Sequence, residues 1–200
     1  MATVKVKRED PLKAEKVIIR KKTAKSLLWI GIVSIVMLFS GLTSAYVVRA
    51  DNGNWLVFKL PSIAIISTAV IILSSLTMFI AQMSIKKGHL GRTSLFLFIT
   101  FVLGIVFTYT QYLGWKELTQ QGIFFLGKYS NASGSFLYLI TIVHLAHLFG
   151  GLISMLITLV NSLKKQYSPQ DYLGIELAAI YWHFLDVLWI YLFLFLYFFR

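Results

Sequence analysis

LGIELAAIYWHFLDVLWIYLFLFLY, residues 173–197, is a run in which Glu176, His183 and Asp186 are the only acidic or imidazole groups. A helix rising about 1.5 Å per residue carries a run of this length across the roughly 30 Å hydrocarbon core of a bilayer. Working outward, four more runs meet the same requirement of roughly 20 mostly apolar residues, so that the predicted spans are 27–48, 61–85, 94–115, 134–160 and 174–199. What remains is a basic arm, four loops and one terminal residue, none long enough to bury a core of its own. The expected fold is an all-α integral membrane protein, a bundle of five transmembrane helices over 27–200 preceded by a cytoplasmic N-terminal arm over 1–26.

Composition agrees with this reading. Hydrophobic residues make up 58% of the 200 and charged residues only 14%, below the quarter or so usual in soluble domains. The basic arm before the first run resembles the start of a secretory signal, but a signal core is about 7–15 residues, and Leu27 to Val48 is long enough to span. It reads as a retained helix. Cysteine is absent, which excludes disulfides and thiolate metal sites.

The net charge of +11 would suit nucleic acid if it were clustered for phosphate contact, but its distribution follows the membrane instead. Lys5, Lys7, Arg8, Lys13, Lys16, Arg20, Lys21, Lys22 and Lys25 of the arm fall on one side with Lys86, Lys87, Arg92, Lys164 and Lys165. Arg49, Lys59, Lys116, Lys128 and Arg200 fall on the other. The richer side is expected to be cytoplasmic, which puts the N-terminus in the cytoplasm and the C-terminus in the periplasm. The arm shows no sustained apolar periodicity and is expected to be mobile, lying on anionic headgroups.

Along the spans, Ser40 with Ser44 and Gly41 with Ala45 are small residues four apart, a spacing that admits a close helix neighbour. Pro61 suits the first turn of the second span, and Ser67, Thr68, Ser74, Ser75 and Thr77 can bond carbonyls within it or reach another helix. Trp29, Trp55, Trp115 and Tyr129 mark the headgroup layers. The loop from Lys116 to Ser133, with Gly122, Phe124, Phe125 and Gly127, is placed in the interface.

Ionisable groups inside hydrocarbon are costly and are the first candidates for function. His144 and His147 share one helix face, His183 and Asp186 another, and Glu176 lies seven before His183 on nearly the same line. Both pairs fall at mid-membrane depth and could meet if the last two spans are neighbours. Three readings stay open on this chemistry: a metal or haem site built from imidazoles and a carboxylate, a proton or ion relay along Glu176, His183 and Asp186, and an interhelical network that only fixes packing or lipid contact. Tyr181 and Trp182 flank the last pair as hydrogen-bond donors to protein or lipid headgroups.

The run of Gly174, Glu176, Ala178, Tyr181, Trp182, His183, Phe184, Asp186 and Trp189 closely resembles the last helix of subunit III of haem-copper terminal oxidases. Gly134, Ser135, Thr141, His144, His147 and Gly151 are similar to a second block of that family, with weaker echoes at Gln111 and Trp115 and at Pro61, Thr68, Ser74 and Ser75. Two positions depart from it: aligning Met37-Leu38-Phe39 with the family's Met-Phe-Phe motif puts Ile35 where many members carry a buried Glu, and Gly114 replaces the Glu of a Gln-x-x-Glu-Trp pattern. Five spans behind a basic arm resemble the bacterial form, which implies the bacterial cytoplasmic membrane.

The resemblance implies a non-catalytic accessory subunit of a proton-pumping respiratory oxidase of the cytochrome c oxidase type. It would stabilise the catalytic subunit, bind phospholipid and support proton uptake during reduction of oxygen to water. Haem and copper are expected on partner subunits I and II and none on this chain, which has four histidines where a catalytic subunit needs six as ligands. The alternatives are subunit III of a quinol oxidase or of a nitric-oxide-reducing relative, an independent small proton-coupled transporter, and a membrane metalloenzyme.

Overall fold

The structure is a computed structural model and describes residues 11–51, 55, 60–127 and 130–199. Those residues form five α-helices: α1 Pro11–Asp51, α2 Ile63–Lys86, α3 Leu90–Gln120, α4 Ala132–Leu163 and α5 Leu173–Phe198. Each contains a stretch long and apolar enough to cross a membrane, and the chain is a multi-pass membrane protein.

α1, α3 and α4 are longer than the predicted spans, whereas α2 and α5 match theirs to within two residues at each end. α1 runs for 41 residues, roughly twice the length needed to cross hydrocarbon. The arm, expected to be mobile, is therefore helical from Pro11 onward. From Leu12 to Ile30 it holds no glycine or proline and is rich in Lys, Ala and Leu, which favour helix without any apolar periodicity. Lys5, Lys7, Arg8, Lys59, Lys128, Tyr129 and Arg200, and the side chains of Lys13 and Lys16, lie outside the described residues.

Local chemistry sets the helix ends. Pro61 forms the turn that precedes α2, its carbonyl accepting from the Ala64 N–H at 3.0 Å. Gly88 turns α2 into α3 with φ +79°, a left-handed conformation that glycine adopts without a Cβ penalty. Asn131 caps α4 by accepting from the Ser133 N–H at 3.0 Å. The segment after α3 folds back onto the start of α4, where the Tyr138 hydroxyl bonds the carbonyls of Ile123 and Trp115 and the Ser135 hydroxyl bonds that of Phe125.

α2, α3, α4 and α5 form a four-helix ring, each packing on two of the others, and α1 lies outside it against α4 and α5. The ring core is built from Ile71, Met78, Leu97, Phe107, Leu148, Met155, Trp182, Leu185 and Trp189. A second cluster joins α1 to it through Phe39 and Tyr46, which meet Leu137, Ile140, Leu188, Leu192 and Phe195. At Gly104 an added Cβ would stand 2.7 Å from the Trp182 ring and 2.9 Å from Leu152, so glycine there is what lets α3 admit the indole.

The outer surface is apolar, with Ile66, Leu73, Phe79, Phe98, Ile105, Phe149 and Ile157 exposed, as suits a molecule solvated by lipid. Ser40, Gly41, Ser44 and Ala45 are exposed as well, and nothing lies within 4 Å of a Cβ built on Gly41. The small-residue face of α1 thus meets no helix among the described residues. Trp29 is exposed, whereas Trp55 packs edge-on against Tyr46 with ring centroids 4.7 Å apart.

Candidate functional site

α5 is tied to its neighbours by polar atoms placed along its length. The Trp182 indole N–H donates to Ser74 Oγ at 2.9 Å, the Trp189 indole N–H donates to Thr68 Oγ1 at 3.2 Å, and His183 Nδ1 pairs with Ser75 Oγ at 2.7 Å. All three partners lie on α2. The two helices run antiparallel here: Trp182 and Trp189, two turns apart on α5, reach Ser74 and Thr68, six residues apart on α2. On the other side the Tyr181 hydroxyl donates to the His147 carbonyl on α4 at 3.1 Å. Tyr181 and Trp182 thus both donate to protein.

Asp186 is only 2% exposed, and neither carboxylate oxygen has a hydrogen-bond partner among the described residues. Ser75 lies within interaction range of it but outside hydrogen-bonding geometry. His183 is half-buried, and its Nε2 makes no hydrogen bond among the described residues. Ser75, His183 and Asp186 therefore form one polar cluster at the α2–α5 seam, near the middle of α5.

The α4 pair faces elsewhere. His144 is wholly buried in an aromatic box, with ring centroids 5.2 Å from Trp189, 6.2 Å from Phe107 and 6.4 Å from Phe39, and neither nitrogen is bonded. His147 Nδ1 donates to the Val143 carbonyl at 2.8 Å, and its ring lies 5.8 Å from Phe39 of α1. A carbonyl can only accept, so Nδ1 carries the proton and Nε2 presents a lone pair in the neutral ring. The two pairs make no direct hydrogen bond; the Tyr181 hydroxyl and the Trp189 ring are their links.

Glu176 stands apart, one turn into α5, and accepts from Lys25 of α1 at 2.7 Å. Lys21 joins Asp171 at 3.2 Å and the Gln170 carbonyl at 3.3 Å. The expected site residues thus divide among three places: the α1–α4 side, the α2–α5 seam and one end of α5. Among the described residues no three His, Asp or Glu side chains gather to hold a metal ion.

The spacing of titratable groups could not reveal the α2 hydroxyls as partners of α5, nor Lys21 and Lys25 as fasteners of α1. The hydroxyls carried a signal in Thr68 and Ser75 sharing a face; the lysines carried none. At the two departures, Ile35 packs half-buried in the second core cluster. A Cβ on Gly114 would approach Ile63 to 3.2 Å, so a glutamate there needs α2 to yield. Trp115 beside it donates to Thr141 Oγ1 at 3.1 Å, joining α3 to α4.

Sequence comparison places these residues in a known setting. Residues 54–200 match the family described as Cytochrome c oxidase subunit III. The probable cytochrome c oxidase subunit 3 of Nocardia farcinica is 33% identical over 183 residues, covering 88% of this chain and 86% of that one. That of Mycobacterium tuberculosis is 32% identical over 181 residues with the same coverage, and cytochrome c oxidase subunit 3 of Drosophila yakuba is 31% identical over 140 residues, 70% of this chain and 50% of that one. The matched region contains the α2 hydroxyls and all of α4 and α5 with their aromatic and titratable residues, and the chain belongs to the cytochrome c oxidase subunit III family.

Proposed function

We propose that this chain is the non-catalytic accessory subunit of a proton-pumping haem-copper oxidase in a bacterial cytoplasmic membrane, with its N-terminus in the cytoplasm. It stabilises the catalytic subunit, retains phospholipid and supports proton uptake, while haem and copper reside on subunits I and II. The observation that carries this reading is the use of the family-like segment of α5. Tyr181, Trp182, His183 and Trp189 each bond another helix of the same bundle. Such bonds suit a part that holds shape and neighbours in place.

Lipid retention has its own support. An open-sided cleft of about 630 Å³ lies between α1, α4 and α5. Arg20 and Lys21 stand at one end with Asn161 and Gln166, and Ile153, Ile157 and Leu177 line the rest. Asp171 lines the same cleft and pairs with Lys21, so Arg20 is the cation left for an anionic headgroup, with the apolar wall for an acyl chain beneath it.

The test is purification through a tag on this chain in mild detergent, followed by an optical spectrum, metal analysis and identification of the accompanying proteins. A haem spectrum, copper and a catalytic oxidase subunit are expected together in the preparation. Recovery of the chain alone, or of stoichiometric iron or copper on the isolated chain, would overturn the proposal.

A further inference from the structure

Within the polar cluster at the α2–α5 seam, His183 and Ser75 reach the outer surface as half-buried side chains, while Asp186 is closed off behind them. His183 and Asp186 lie ten and thirteen residues beyond Leu173 in a 26-residue helix, which is mid-bilayer depth at about 1.5 Å per residue. α1 occupies the side of α5 toward α4, and α3 lies diagonally across the ring, so neither reaches this seam. Around His183 the outward stripe continues with exposed Ile72, Leu76 and Phe79 on α2 and exposed Val187 on α5.

Such a face is poorly matched to lipid. Ionisable side chains at this depth pair with protein or line water, because hydrocarbon offers no hydrogen bond to an imidazole nitrogen or a carboxyl group. Here Nδ1 of His183 is engaged by Ser75, Nε2 is directed to no partner, and both oxygens of the nearly inaccessible Asp186 are unbonded behind it. The large apolar side chains on either side supply the dry contact that a packed helix would make.

We infer that the α2–α5 face centred on His183 is the docking surface for a transmembrane helix of a partner subunit, and that this helix presents a polar side chain at mid-bilayer depth to His183 Nε2. The inference rests on the reading of the chain as an oxidase subunit and adds which face makes the contact. Either neutral tautomer fits: if Ser75 donates to Nδ1 the partner accepts from Nε2–H, and if Nδ1–H donates to Ser75 the partner donates to Nε2.

The experiment uses the intact complex in native membranes, with a photoreactive residue placed at Leu76 or Val187 on this face, or at Phe98 or Ile105 on the outward face of α3. Crosslinks to another membrane subunit are expected from Leu76 and Val187 and not from the α3 positions. Retention of that subunit at raised detergent is expected to fall about threefold in His183→Leu, as loss of one interhelical hydrogen bond implies, and to be largely preserved in His183→Gln. Lipid-only adducts from Leu76 and Val187, or subunit adducts from α3 alone, overturn the face while leaving the functional reading intact. A purified chain without any oxidase subunit overturns both.

Discussion

α1 and α5 cross the same membrane but are held in different ways. Half of the most apolar window of α5 is buried inside the protein, against 17% of that of α1. α5 is fastened by indole, imidazole and phenol groups to hydroxyls and a carbonyl on α2 and α4, at depths where water does not compete. α1 is held by buried Phe39 and Tyr46, by a Thr43–Tyr191 hydroxyl contact at 3.3 Å, and by the two lysine pairs beyond its apolar segment. The difference teaches that the helices of the ring are fastened to one another by polar bonds inside hydrocarbon, as Trp115 with Thr141 also shows between α3 and α4. The peripheral helix relies on apolar knobs and on charges near water.

The largest effect should come from the centre. Trp182→Ala removes a fully buried indole that touches α3 and α4 and bonds α2, and is expected to cost about 3–5 kcal/mol. The thermal transition of the detergent-solubilised complex should show this as early loss of the chain. Gly104→Ala comes next, at about 1–3 kcal/mol from overpacking, because the added methyl meets Trp182 and Leu152 inside the ring. The same melt reads it, and Gly41→Ala on α1, where space is open, should leave the transition unmoved.

Trp189→Phe keeps most of the ring contact with Phe107 and His144 and removes the bond to Thr68, for a loss of about 0.6 kcal/mol. A double-mutant cycle with Thr68→Val isolates that bond. Smallest is Lys25→Gln: a pair this exposed contributes about 0–1 kcal/mol, and the effect should disappear in high salt. A loss in Lys25→Gln larger than that in Trp189→Phe would reverse the comparison and make α1 the critical attachment.

Much of the fold was legible because bilayer solvation leaves few solutions: each span must bond its own backbone, so apolar length announces a helix. The beginning of α1 escaped that logic, since the Lys-, Ala- and Leu-rich stretch from Leu12 to Ile30 promotes helix by propensity and not by apolar pattern. At the candidate site the residue types were legible and their partners were not. His144 and His147 share a helix face, yet one ring sits in an aromatic box and the other turns to its own backbone. Glu176 lies on the line of His183 but answers to Lys25 of a different helix.

From composition and pattern alone came the membrane, five helices long and apolar enough to cross it, the titratable residue types they carry and the family to which the last helix points. Helix adjacency belongs to the tertiary structure: the ring of four, α1 outside it, Ser75 beside His183 and the open face around them. The physical reason is that burial in lipid is decided residue by residue along one helix, whereas a hydrogen bond between helices depends on rotation and neighbour, which many sequences of the same hydropathy could satisfy differently.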